Sequence, residues 1–219
     1  MTTITVPTRD EVSPANQAIF DQLKGALGMV PNLYATFAYS EHALGSYLAL
    51  QNARSSITGK AREVVNLAVS EVNQCEYCLA AHTMIGKKVG FTDAQVLEIR
   101  GGRASFDPKL DALARLVHDM AVKKGHPDEA LVDAFLAAGW TKGNLVDVIV
   151  AIGDKIITNY LHGATHVPVD FPAAPALPRL ASKRKRIKKR SRKAPFFFMP
   201  GDLVAAAQAN RNQFFTTDA

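Results

Sequence analysis

The chain has two cysteines, Cys75 and Cys78, and His82 follows the second by four residues. On a helix, steps of three and four place side chains on one face, so two thiols and an imidazole can meet there. Helical geometry sets the Cα atoms of positions 75 and 78 roughly 5 Å apart, inside the ~4.4 to 6.8 Å range that a disulfide needs. The pair can therefore close and reopen with little backbone movement. A disulfide across so short a loop contributes little as a staple, which leaves redox or metal chemistry as the reason for the pair.

A helix boundary at Asn73 or Gln74 puts both sulfurs in a first turn, where unpaired N–H groups and the helix dipole favour a thiolate. An ordinary thiol of pKa ~8.5 is roughly 3% ionised at pH 7, and one lowered to ~6.5 is roughly 75% ionised. His82, one turn beyond Cys78, is placed to accept its proton or stabilise its charge. A carboxylate that fixes the imidazole tautomer completes such a site, and Glu63 and Glu71 are both candidates. Further candidates are Tyr77, between the cysteines, and Asn159 with His162, three apart on a later helix.

Two other chemistries weigh less. Haem attachment needs a histidine directly after the second cysteine, and Leu79 stands there. A zinc site has two thiolates and His82 but lacks a fourth ligand, with no second cysteine pair to provide it. The expectation is a site without metal or cofactor.

The elements that must carry these residues are helical, because apolar residues recur at helical intervals and alternating, β-branched runs are nearly absent. The class is all-α. Ser13-Pro14 opens a helix to about Lys24 with Ile19, Phe20 and Leu23 inward. Pro31 opens a short one with Leu33, Tyr34 and Phe37. Ser40-Glu41 starts another carrying Leu44, Tyr47, Leu48 and Leu50 to the core. Thr58 caps a helix to about Val72, and the cysteine helix runs from about Cys75 to Val89, stopped by Gly90. Thr92 to Gln95 forms a capping box, Asp107-Pro108 opens a helix to about Lys124, and Pro127 one to about Ala138. The last runs from Lys142 to about His162. Its apolar stretch from Leu145 is interrupted by Asp147, Asp154 and Lys155, which excludes a bilayer span and marks a buried core helix.

The formal charge of +6 is unevenly distributed. Residues 181–219 hold ten basic side chains against two acidic ones, which leaves 1–180 with sixteen against eighteen, slightly acidic. Nine of the eleven residues from 183 to 193 are Lys or Arg, a run that cannot bury itself. The expected organisation is a helical domain over 1–180 and a disordered basic extension over 181–219. Nucleic-acid contact, if any, falls to that extension. The opening has no apolar run behind a basic flank, so the chain reads as cytoplasmic.

The cysteine segment resembles the alkylhydroperoxidase D-like (AhpD-like) branch of the carboxymuconolactone decarboxylase superfamily. There a glutamate stands twelve positions ahead of a Cys-x-x-Cys-x-x-x-His motif, as Glu63 stands ahead of Cys75. The likeness extends over about residues 8–172. It takes in Arg62-Glu63, Gly139-Trp140-Thr141, and Asn159-Tyr160 through Val169-Asp170-Phe171-Pro172, as in the peroxidase-related members. Tyr77 replaces a histidine found in well-known members, and Leu161 stands where many have an asparagine ahead of the histidine.

That resemblance implies an AhpD-like helical fold with Cys78 as the peroxide-attacking thiol, Cys75 as the resolving thiol, and His82 with Glu63 as proton relay. It implies a cofactor-free peroxidase for an organic hydroperoxide or hydrogen peroxide, reset by an external lipoyl-type or thioredoxin-like dithiol. It also implies a homo-oligomer, commonly a trimer or hexamer. Two other readings stand beside it: a lactone decarboxylase-like lyase using histidine and glutamate as acid and base, and a non-catalytic assembly or nucleic-acid-contacting protein.

Overall fold

Local signals fix most helix starts in the computed structural model, which describes residues 4–177. The 181–219 extension lies outside the described residues. After a 3-10 turn at Arg9–Glu11, α1 spans Pro14–Leu27 behind Ser13, whose hydroxyl accepts from the Asn16 N–H. The helices α2 (Asn32–Phe37), α3 (Ala43–Gln51), α4 (Gly59–Val72) and α5 (Glu76–Lys88) follow. Then come α6 (Asp93–Arg100), α7 (Pro108–Val122), α8 (Glu129–Ala137) and α9 (Lys142–Thr165). Among the described residues there is no strand.

Several ends differ from the sequence expectation. α1 continues through Gly25 to Leu27, since one glycine weakens a helix without breaking it. It stops at Gly28, whose φ of 78° lets its N–H return to the Lys24 carbonyl. Thr58 occupies the cap position of α4, but its hydroxyl makes no capping bond. Leu50 is 37% exposed and off the core, because α3 buries only Leu44 and Tyr47 fully. α9 passes His162 and ends when His166 turns left-handed at φ 50°. The capping boxes at Thr92 and Thr141 and the Asp107 cap are formed.

The helix α4 is the hub, packed against α5, α6, α7 and α9, and every residue from Glu63 to Ser70 is buried. Val64, Val65, Leu67 and Ala68 join Leu113, Leu116 and Val117 of α7 in the main core. A second cluster joins Phe20 and Val12 to Phe37, Leu44 and Tyr47. A third, small one contains Leu33, Cys75, Tyr77, Cys78 and Val167.

The segment after α9 straps across the start of α5. Asp170 accepts from the Asn32 N–H at 2.7 Å, and Phe171 meets Tyr77 edge-on with ring centroids 5.5 Å apart. The Pro175 carbonyl accepts from Arg100 at 2.6 Å. Tyr77 completes the strap, its hydroxyl oxygen accepting from the Leu33 N–H at 3.2 Å.

Candidate active site

A tight turn joins α4 to α5. Asn73 and Gln74 return their N–H groups to Val69 and Glu71, Gln74 takes a left-handed φ of 54°, and Cys75 N–H reaches Ser70 O at 3.0 Å. Cys75 thereby becomes the N-cap of α5, with its sulfur accepting from the Cys78 N–H at 3.3 Å where a serine hydroxyl usually serves. Cys78 sits in the first turn. Both thiols are free and buried, and their sulfurs lie 2.6 Å apart, a sub-ångström displacement from the ~2.05 Å of a disulfide.

The two sulfurs are electrostatically unequal. The hydrogen bond that Cys75 donates brings the Cys78 thiol down to about 7, against the opposing effect of burial. The Lys155 charge, Asn159 and Thr158 add to the lowering. Cys75 is pushed well above an ordinary thiol by its bond to Cys78 and by burial. Proton and charge are thus divided between a donor, Cys75, and an acceptor, Cys78.

His82 lies between two partners. Its Nδ1 is 2.8 Å from Glu63 Oε2 and its Nε2 is 2.7 Å from Lys155 Nζ. An ammonium can only donate, so Nε2 accepts and the proton rests on Nδ1, donated to the Glu63 carboxylate. Burial and Lys155 hold His82 below the ordinary histidine value, outweighing Glu63, which agrees with a neutral ring. Burial raises the Glu63 carboxyl, but His82, Asn66 and Lys155 together hold it below its ordinary value. Asn66 Nδ2 donates to the other Glu63 oxygen at 2.8 Å.

The remaining candidates divide. Asn159 is held at the turn that carries Cys75, by Asn73 at 2.9 Å and Ser70 at 3.3 Å, and its amide lowers both thiols. Glu71 bonds Arg100 at 2.8 Å and has no bond to His82, so the imidazole's carboxylate is Glu63. Tyr77 faces the strap, and burial followed by Asp170 raises its phenol, keeping it neutral. The His162 ring lies 5.7 Å from that of Tyr77 and 6.4 Å from that of His166, and it makes no hydrogen bond to Glu63 or His82.

Three charged residues that sequence spacing did not single out complete the cluster. Asp154 and Lys155, 1% and 2% exposed, project from α9 into the protein, and Arg62 of α4 pairs with Asp154. Tyr34, Gln51 and Tyr47 form a hydrogen-bonded row at 2.8 and 3.1 Å beside them. Burial, reinforced by Tyr34 and Asp154, raises the Tyr47 phenol. The available signal was the adjacent Asp154-Lys155 pair inside an apolar helix, since such residues are almost never fully buried unless paired.

A cavity of about 350 Å³ opens against this cluster, lined by Gln51, Arg62, Glu63, His82, Asp154 and Lys155 among others, but not by the cysteines. Among the described residues, no group of three or more His, Cys, Asp or Glu side chains is disposed to hold a metal ion. No helix among them is long and apolar enough to cross a membrane.

Residues 39–119, which contain the cysteines, His82 and Glu63, match the carboxymuconolactone decarboxylase family. Over that segment, somewhat more than a third of the chain, the sequence is similar to that family. Its fold is similar to that of a peroxidase-related protein from Silicibacter sp. TM1040, with TM-score 0.64 and 20% identity over 81% of this chain and 96% of that one. The AhpD core of a peroxidase-related protein from Ralstonia eutropha JMP134 gives TM-score 0.65 and 19% identity, over 73% and 87%. A cysteine-to-alanine variant of the debrominase Bmp8 bound to 2,3,4-tribromopyrrole gives TM-score 0.64 and 14% identity, over 78% and 92%. These identities speak to the AhpD-like fold alone. No curated protein sequence matches the chain.

Proposed function

We propose that this AhpD-like protein is a dithiol peroxidase that reduces a small organic hydroperoxide or hydrogen peroxide by cycling Cys75 and Cys78 between dithiol and disulfide. The observation that carries the reading is a pair of buried free thiols 2.6 Å apart at a helix start, one acidic and one holding its proton. The Cys78 thiolate attacks the terminal peroxide oxygen, the O–O bond breaks, and a sulfenic acid forms as the departing alkoxide takes up a proton. Cys75 sulfur then attacks Cys78 sulfur, the S–O bond breaks, and hydroxide leaves as water with the Cys75 proton. The two electrons that reduce the peroxide come from the dithiol. An external lipoyl-type or thioredoxin-like dithiol returns them, as in a reducing cytoplasm.

His82 and Glu63 form the proton relay in this reading, with Asn159 orienting the sulfurs. Reaction with one equivalent of an organic hydroperoxide should remove two hydrogens and yield a Cys75–Cys78 link by mass spectrometry. An unchanged dithiol overturns the proposal.

The cavity favours a second reading, because it presents His82, Glu63 and Lys155 and neither cysteine. An acid–base lyase could work there without thiol chemistry. A Cys78→Ser protein with full turnover of its substrate selects that reading.

Self-association fits the outer face of α9, where Val146, Ile149, Val150, Ile157 and Tyr160 are exposed at helical spacing. Sedimentation of the wild type and of a Val150→Glu variant tests it. A homo-oligomer that the charge dissociates supports the proposal, and a monomeric wild type refutes it.

A further inference from the structure

We propose that Lys155 is the positioning residue for the Cys78 thiolate, and that His82 and Glu63 act on the sulfur through Lys155. The inference rests on the thiol reading of the site and names how the thiolate is held. It begins with the face of α9. Lys155 and Asn159 stand four apart on one face: Asn159 bonds Asn73 and Ser70 at the turn that carries Cys75, and Lys155 bonds His82, one helical turn beyond Cys78, so Cys78 lies between the two attachments. The same face therefore delivers Lys155 beside Cys78.

The partners of Lys155 point the same way. A buried ammonium is costly unless compensated, and Lys155 is 2% exposed. Among the described residues no carboxylate lies within ion-pair distance of it: Asp154 pairs with Arg62, and Glu63 bonds His82 and Asn66. The Nζ bond to His82 Nε2 at 2.7 Å fixes the direction of the ammonium without neutralising it. A thiolate at Cys78 is the anion left for it to face.

His82 also has no nitrogen left for the sulfur, since Glu63 holds one and Lys155 the other. The order is Glu63, His82, Lys155, Cys78. The other ionisable groups around it are Cys75 and Tyr77 from the start of α5, Arg62 from α4, Asp154 from α9, and Tyr34 and Tyr47 from α2 and α3. Burial raises all three phenols, which therefore add no negative charge beside the sulfur.

The test reads the pH midpoint of Cys78 alkylation by iodoacetamide, resolved from Cys75 by peptide mass spectrometry, on the full chain. Lys155→Met should raise the midpoint by roughly one pH unit, and Lys155→Arg should restore most of the difference. In Lys155→Ala, ethylammonium supplied through the cavity that Lys155 lines should bring the midpoint partly back, a response that a packing role does not give. His82→Gln should shift it less than Lys155→Met, and the two changes together should not add.

An unchanged midpoint in Lys155→Met overturns the proposal, as does a larger shift in His82→Gln than in Lys155→Met. If the lysine variants fail to fold, nitrogen NMR of His82 in the wild type decides. A neutral ring with its proton on Nδ1 across the Cys78 titration supports the order, and an imidazolium beside the thiolate refutes it. Peroxide-driven disulfide formation is scored separately, so a dithiol inert to peroxide sinks the peroxidase reading and leaves the Lys155 result intact.

Discussion

Replacing Cys75 with alanine probes the difference between the two sulfurs most directly. In the wild type Cys78 titrates at about 7, which leaves it about half ionised at pH 7, against roughly 3% for an ordinary thiol of pKa ~8.5. The hydrogen bond from Cys75 is the largest single cause of that lowering. A hydrogen bond to a charged group is worth roughly 1.5–3 kcal/mol, and one pH unit corresponds to about 1.4 kcal/mol. Cys75→Ala should therefore raise the Cys78 midpoint by about one to two units and reduce its thiolate at pH 7 roughly 5- to 50-fold. A more basic thiolate is intrinsically more nucleophilic, with a Brønsted slope of about 0.4–0.5, so the rate at one pH understates the change. The assay is the full pH profile of alkylation mapped to the Cys78 peptide. Cys75→Ser supplies the control: its hydroxyl can still donate to the sulfur and cap α5, so its midpoint should fall between the other two. A midpoint in Cys75→Ala within about two tenths of the wild type would show that the close sulfur contact does not set the acidity.

Glu63→Gln keeps an oxygen that can accept from His82 but removes the carboxylate charge that stabilises a protonated ring, and peroxide turnover as kcat/KM should fall roughly 100-fold with the protein still folded; a loss under about threefold argues against the relay. Arg100→Met leaves Glu71 and the Pro175 carbonyl without their donor, and because Glu71 is a quarter exposed the expected loss in urea denaturation is about 2 kcal/mol. Cys78 alkylation in that variant should match the wild type, and a shifted midpoint would bring Glu71 back into the site. Stability should decline on acidification: His82 is held below its ordinary 6.5 and Glu63 below its ordinary 4.5, so the unfolded chain takes up more protons as pH falls. The His82 contribution is complete above about pH 7 and begins to be lost near 6.5, and the Glu63 contribution goes below about 4.5. Denaturation curves that strengthen or stay level from about pH 7 to 5, or a His82→Gln protein with the same slope there, contradict that account.

Features legible in the sequence are those whose cause is local. Ser13-Pro14, Thr92 with Gln95 and Asp107-Pro108 announce helix starts because cap and first turn lie within four residues of each other. The Cys75–Cys78 contact is legible for the same reason, being one helical turn. What the sequence does not state is which face of a helix a neighbour covers. Leu50 is exposed because α3 has a partner along Leu44 and Tyr47 only, and α9 runs past His162 because no stop signal precedes His166. The choice between Glu63 and Glu71 is likewise tertiary. Both stand on α4, and the packing of α6 claims Glu71 through Arg100 while α5 brings His82 to Glu63. No local signal ties Lys155 to the site, since its partner His82 is 73 residues away and no short motif joins them.

The charged residues inside α9 explain why the site and the fold depend on each other. Asp154 ties α9 to Arg62 of α4, Lys155 to His82 of α5, and Asn159 to Ser70 and Asn73 at the turn between those helices. An apolar helix could pack against α4 and α5 in several rotations at similar cost, because hydrophobic burial has no direction. Three polar attachments at steps of one and four allow one rotation, the one that brings Asn159 to the turn carrying Cys75 and Lys155 to His82. The lining of the cavity follows from the same rotation, since Arg62, Asp154, Lys155 and His82 are at once the ties between helices and the groups that an incoming molecule meets. Neutralising one of them therefore changes two things together, the angle at which α9 sits and the charge beside Cys78. A comparison of thiol midpoint with denaturation midpoint separates those effects, because only the charge depends on whether arginine can stand in for lysine.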